Sequence, residues 1–150
     1  MSSDQEVLPA YVPSDNEVKH LEFIQGVISR LANNSFLMKG WALTVSGAIF
    51  SFATSHLSWQ IASLGLLPPA LFWFLDSYFL WQERLFRKLY TGVASGKESI
   101  PVFSMDPSRY KGSHSWNSAF RSVTLVPFYG ALIIVGVAII LASLAHHHSL

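Results

Sequence analysis

Two ionisable side chains stand in otherwise apolar surroundings: Lys39 within SFLMKGWALTVSGAIF and Asp76 within FWFLDSYFLW. Three kinds of chemistry are open to them. They can pair and fix the register of two helices. Lys39 can instead snorkel to lipid headgroups while Asp76 finds a hydrogen bond elsewhere. Or either can face a pore, a proton path or a ligand in an assembly, because ionisable groups inside a membrane are functional candidates by default. Other constellations are missing. The histidines, His20, His56, His114 and His146 to His148, show no H-E-x-x-H spacing and no paired carboxylates, so no metal is expected. The serines occur in no G-x-S-x-G pattern, and the one S-x-x-K match, Ser108 to Lys111, follows an Asp-Pro turn with no second motif beside it; no glycine-rich phosphate loop is present, and there is no cysteine. The chain is therefore read as non-enzymatic, without a cofactor.

The elements that must position Lys39 and Asp76 follow from composition and period. The chain has 150 residues, 51% hydrophobic and 13% charged. A soluble domain carries about 25% charged residues, so the deficit points to lipid. A net charge of +1 gives no reason to expect nucleic acid. Residues 1–13 read as a flexible tail with Pro9 and Pro13, without a secretory signal or a myristoylation glycine. Ser14 and Glu17 fit a capping box, and Val18, Leu21, Ile24, Ile28 and Leu31 recur at helical spacing. This predicts an amphipathic helix over 14–35 that either continues into the first span or bends at Asn33 and Asn34.

Three apolar runs are long enough to cross a bilayer, at 36–55, 61–80 and 123–145. The second is expected to continue as a helix to about Tyr90, with a kink at Pro68 and Pro69. In the first, Gly40, Thr44, Gly47, Ala48 and Ser51 form a small-residue stripe of the kind that lets helices approach closely in lipid. Residues 91–122 read as a loop too short for its own core, with a short interfacial helix whose Trp116 and Phe120 face lipid. Residues 146–150 form a tail. The fold class is all-α: an integral membrane protein with three transmembrane helices and an amphipathic N-terminal helix.

Depth can be counted from the turn between the first two spans. Lys39 and Asp76 are equally far from its centre, between Leu57 and Ser58. At 1.5 Å per residue both lie ~28 Å from it, near one edge of the hydrocarbon. The same symmetry places Arg30 near Glu83 and suggests a second pair just outside the lipid.

Basic residues set the orientation. Arg84, Arg87, Lys88, Lys97, Arg109, Lys111 and Arg121 lie between the second and third spans, and Lys19 and Arg30 precede the first. The 55–59 turn and the C-terminal tail have none. The positive-inside rule then predicts a cytoplasmic N-terminus and loop, with the C-terminus outside. Recognition of anionic headgroups or of an acidic cytoplasmic partner is the alternative role for Arg84, Arg87, Lys88, Arg109, Lys111 and Arg121.

The segment HLEFIQGVISRLANNSFLMKGWALT, followed by FWFLDSYFLWQERLFRKLY, resembles a group of small bacterial membrane proteins. Their pattern N-S-F-x-x-K-G-W is carried here by Asn34, Ser35, Phe36, Lys39, Gly40 and Trp41. A second segment is carried by Trp73 to Asp76, Tyr78, Glu83, Arg84 and Phe86, and the likeness covers about residues 20 to 90. The resemblance implies a bacterial inner-membrane protein associated with antiviral defence, and brings no catalytic residue with it. Two functions are expected from all this: a homo-oligomeric effector or channel-like protein, or a membrane anchor that docks a cytoplasmic protein.

Overall fold

The capping box at Ser14 sets where the first helix begins. In the computed structural model, which describes residues 13–96, 98–113 and 115–148, the Ser14 amide donates to the Glu17 carboxylate at 2.7 Å. The Glu17 amide in turn donates to Ser14 Oγ. From this cap α1 (Asp15–Ser55) runs without interruption for 41 residues. Asn33, Asn34 and Ser35 do not interrupt it: poor helix formers cost little when both flanks pack. The expected 1–13 tail falls almost wholly outside the described residues, as do Lys97, His114 and the last two residues of the tail.

A tight turn through Leu57, held with φ at 48°, leads into α2 (Trp59–Leu64) and then α3 (Leu67–Ser95). The helix does not break at Pro68 and Pro69, where a kink is expected. The helix is interrupted earlier, at Gly65 and Leu66, and the prolines lie in the first turn of α3. There their missing N–H groups have no intrahelical acceptor to lose. Gly65 and Leu66 keep right-handed torsions, so α2 and α3 still make one 37-residue run, apolar enough to span a membrane. α3 ends at Gly96, whose φ of 61° suits a residue without Cβ.

After a single 3₁₀ turn (Ser108–Tyr110) come α4 (Trp116–Phe120) and α5 (Leu125–His148). No described residue is in a strand. The chain is an all-α protein with three helical runs long and apolar enough to cross a membrane, which places it in one.

The helices form two bodies end to end. In the span, Ala42, Leu125 and Tyr129 are buried with Phe72, Trp73, Leu80, Phe128 and Leu132 packed on them. Deeper, the Phe50 ring occupies a slot between two glycines. A Cβ on Gly136 would come within 2.6 Å of that ring, and one on Gly65 would collide with it. At the other end lies a head, where α1 and α3 extend past the span. There Ile24, Ile28, Leu89 and Val93 are buried under Leu21, Phe86, Tyr90, Ile100, Met105 and Tyr110. Segment 98–110 thus lacks a core of its own, yet it closes a core built by the two helix extensions. Gly92 permits this closeness, since a Cβ there would collide with the Tyr110 hydroxyl.

A polar knot joining three helices

Asp76 lies on the inner face of α3 and is fully buried. An ionised carboxylate removed from water is tolerable only if its oxygens are satisfied. Three donors converge on it. Lys39 Nζ lies 2.6 Å from Oδ2, the Tyr129 hydroxyl donates to the same oxygen at 3.0 Å, and the Ser35 hydroxyl donates to Oδ1. Lys39 also donates to Ser35 Oγ at 2.9 Å, so the serine accepts from the lysine while donating to the aspartate. The knot ties α1, α3 and α5 at one level. The Lys39 side chain retains 25% exposure, so the knot is not wholly enclosed on the lysine's side.

The structure brings Lys39 and Asp76 together and does not bring Arg30 to Glu83. The Arg30 guanidinium turns back on its own helix, donating to the Gly26 carbonyl at 3.3 Å. Glu83 is taken by Arg87, with nitrogens 2.7 Å and 2.8 Å away. Equal depth was a sufficient guide for the first pair and not for the second. Glu83 has a cation four residues on along its own helix, and an i,i+4 partner is reached with no constraint on how the helices rotate.

Spacing and depth mark neither Ser35, present only in the N-S-F-x-x-K-G-W pattern, nor Tyr129 as a partner of Asp76, though each carries a trace of it. Ser35 stands one turn before Lys39. Tyr129 carries a polar tip in an otherwise apolar run, and such a tip needs a partner when buried.

The remaining singled-out residues divide by face. Gly40, Thr44, Gly47, Ala48 and Ser51 are all exposed on α1. A Cβ at Gly40 or Gly47 would meet nothing within 4 Å, and the Thr44 hydroxyl donates to the Gly40 carbonyl. The opposite face of the same helix, Ala42, Ser46, Phe50 and Ala53, is buried in the protomer. Trp116 and Phe120, expected at a lipid interface, pack their rings on α3 while each stays partly exposed. Phe120 stacks on Trp73 at 4.7 Å, Trp116 packs on Phe74, and Trp73 Nε1 donates to the Phe120 carbonyl at 3.1 Å. The ring faces of α4 are used to dock it on α3, because α3 offers aromatic partners at that height. Arg84 donates to the Ser118 and Ser122 hydroxyls, and Arg109 lies 3.8 Å from Glu98. Lys111 and Arg121 are exposed.

The head holds a second polar tie that hydropathy alone does not suggest. His20 is buried on the apolar face of α1, and its Nε2 lies 2.8 Å from the Ser104 carbonyl oxygen. Phe103, with φ at 65°, turns the chain so that its ring meets His20 and Phe23. His20 stands four and eight residues before the buried Ile24 and Ile28, so helical spacing marks it as an inward residue.

Comparison with protein-family models, curated proteins and solved structures returns no match. The class defined by fold and geometry is a three-span helical membrane protein whose spans are tied by one buried carboxylate.

Proposed function

We propose that the chain is a non-catalytic, homo-oligomeric membrane effector of a bacterial inner membrane, with its head in the cytoplasm and its C-terminus outside. The observation that carries this reading is the open small-residue face of α1. Gly40 and Gly47 have free space beside them, while the opposite face is already occupied within the protomer. In lipid, such a face is where another helix gains close van der Waals contact. α1 and α3 each run from the head into the span, so a signal received by the head would reach the span through rigid elements. The helix interruption at Gly65 and Leu66 is the candidate moving part. A role in antiviral defence is the setting suggested by the N-S-F-x-x-K-G-W resemblance.

The chain contains no cysteine, which makes the test direct. Single cysteines at Gly40, Gly47 and Ser51 are expected to cross-link copies in native membranes. A cysteine at the outward-facing Ile134 of α5 is not. A protein that stays monomeric in nanodiscs, without cross-links at any of the three, overturns the reading.

A membrane anchor for a cytoplasmic partner is the second reading. It is supported by Val18, Phe23, Val102 and Phe103, apolar side chains 42–58% exposed on the head rather than on the span. Phe23→Asp with Phe103→Asp would abolish capture of such a partner and leave α1 cross-linking intact. A monomer purified only together with a soluble protein would favour this reading over the first.

A further inference from the structure

Arg84, Arg87, Lys88 and Thr91 follow one another at helical spacing on α3 and line a hollow of about 180 Å³. Three of its four lining residues are cations. The carboxylate beside it, Glu83, is largely buried and held by Arg87. Arg84 spends two nitrogens on the neutral hydroxyls of Ser118 and Ser122, which orient the guanidinium without cancelling its charge. Among the described residues Lys88 has no carboxylate partner within ion-pair reach, and its side chain is exposed. The Thr91 hydroxyl is committed to the Arg87 carbonyl, so the free donors of the hollow belong to the three cations.

The height of the hollow is set by the bond from Arg84 to Ser122. Ser122 is the residue whose carbonyl accepts from the Leu125 and Val126 amides, at the point where α5 begins its apolar run. Taking the apolar run of α5 as the span puts Arg84 at its edge. It also puts the Lys39–Asp76 pair ~12 Å inside that edge, rather than at the edge that counting from the turn suggests. Lys88 is one turn farther from the span, ~6 Å along the helix. The interfacial layer of a bilayer is itself ~6 Å thick on each side. The hollow thus crosses the layer in which lipid phosphates lie, and guanidinium groups bind phosphate through paired N–H donors.

We propose that this hollow binds the phosphate of an anionic lipid headgroup in the leaflet on the head side, with Arg84 and Lys88 as its principal donors. The proposal concerns α3 and does not depend on whether α1 packs against other copies.

The test uses the full chain in nanodiscs of phosphatidylcholine with and without phosphatidylglycerol, followed by native mass spectrometry of the lipid retained. Phosphatidylglycerol is expected to be kept in preference to phosphatidylcholine. Retention should fall roughly fivefold for Lys88→Gln and again for Arg84→Gln, the factor usual for one basic group near an anionic surface. Lys111→Gln, which removes an exposed charge from the loop, should leave it unchanged. If Arg84→Gln fails to fold after losing its serine contacts, Lys88→Gln alone carries the comparison. Equal retention in Lys88→Gln and the unaltered protein overturns the site. An equal loss in Lys111→Gln also overturns it, since diffuse attraction would then explain the preference. A third arm adds inorganic phosphate to phosphatidylcholine nanodiscs and follows hydrogen exchange across 84–91. No protection is expected, whereas protection matching that of phosphatidylglycerol would assign the hollow to a soluble phosphate and overturn the lipid source.

Discussion

The span and the head of this molecule differ in the balance of what ties their helices. The span adds a buried polar knot to its apolar contacts, whereas the head adds one His20–Ser104 contact to an apolar core. The knot gathers Ser35, Lys39 and Tyr129 on the buried Asp76. The core of the head is Ile24, Ile28, Leu89 and Val93, closed over by the 98–110 segment. The difference follows from the solvent each half meets. Apolar side chains in lipid gain nothing from leaving it, so close packing and hydrogen bonds must bring helices together. In water the same side chains gain from burial by roughly 25 cal/mol per Å². One pair of helices, α1 and α3, passes through both regimes, and the balance of its adhesives changes midway.

The sharpest way to break this comparison is to remove the carboxylate. Asp76→Ala leaves the Lys39 charge without its partner and two hydroxyls without an acceptor. A loss of about 3–5 kcal/mol is expected, as for other broken buried pairs, read as a drop in thermal stability in detergent. Replacing Lys39 and Asp76 together by Met should be milder than Asp76→Ala, because no charge is then stranded. A double variant as unstable as the single would mean that the knot does not act as a unit.

In the head, Leu89→Ala should cost about 2–4 kcal/mol by leaving a cavity in its core, seen as faster hydrogen exchange in 20–28 and 86–93. Hydroxyl and ring variants refine the comparison further. Gly136→Ala, which crowds the Phe50 ring, should cost about 1–3 kcal/mol, and Phe50→Leu should relieve it. That rescue would establish that the span also uses steric fit. Tyr129→Phe removes one of the three donors to Asp76 and should cost ~0.6–1.7 kcal/mol, the range for hydrogen bonds between membrane helices.

The smallest effect concerns pH and belongs to the head. The Ser108 amide and then its hydroxyl hold the Asp106 carboxyl below the usual carboxylate range. A group with a lowered value stabilises the folded loop above its unfolded pKa, ~3.9, and loses that contribution as the pH falls through the lowered value. Hydrogen exchange across 104–110 should be insensitive to pH above ~5 once intrinsic rates are corrected, and protection should decline below ~4. Asp106→Asn should flatten that dependence.

Sequence alone determined the quantities that run along a single helix. The Ser14 capping box, the apolar runs and the inward face through Leu21, Ile24 and Ile28 are local properties of spacing and hydropathy. Depth is local too, since a fixed rise per residue sets Lys39 and Asp76 at one height once the turn is located. Tertiary structure decided everything that depends on how helices rotate about their axes. Rotation selected Asp76 as the acceptor for Ser35 and Tyr129 as well as Lys39, and it left Arg30 on its own helix while Glu83 turned to Arg87. It also set the α4 rings on Trp73 and Phe74, and closed Ser104 over His20. Height follows from counting residues, but the angle at which a side chain meets its neighbour is settled only when all the helices pack at once.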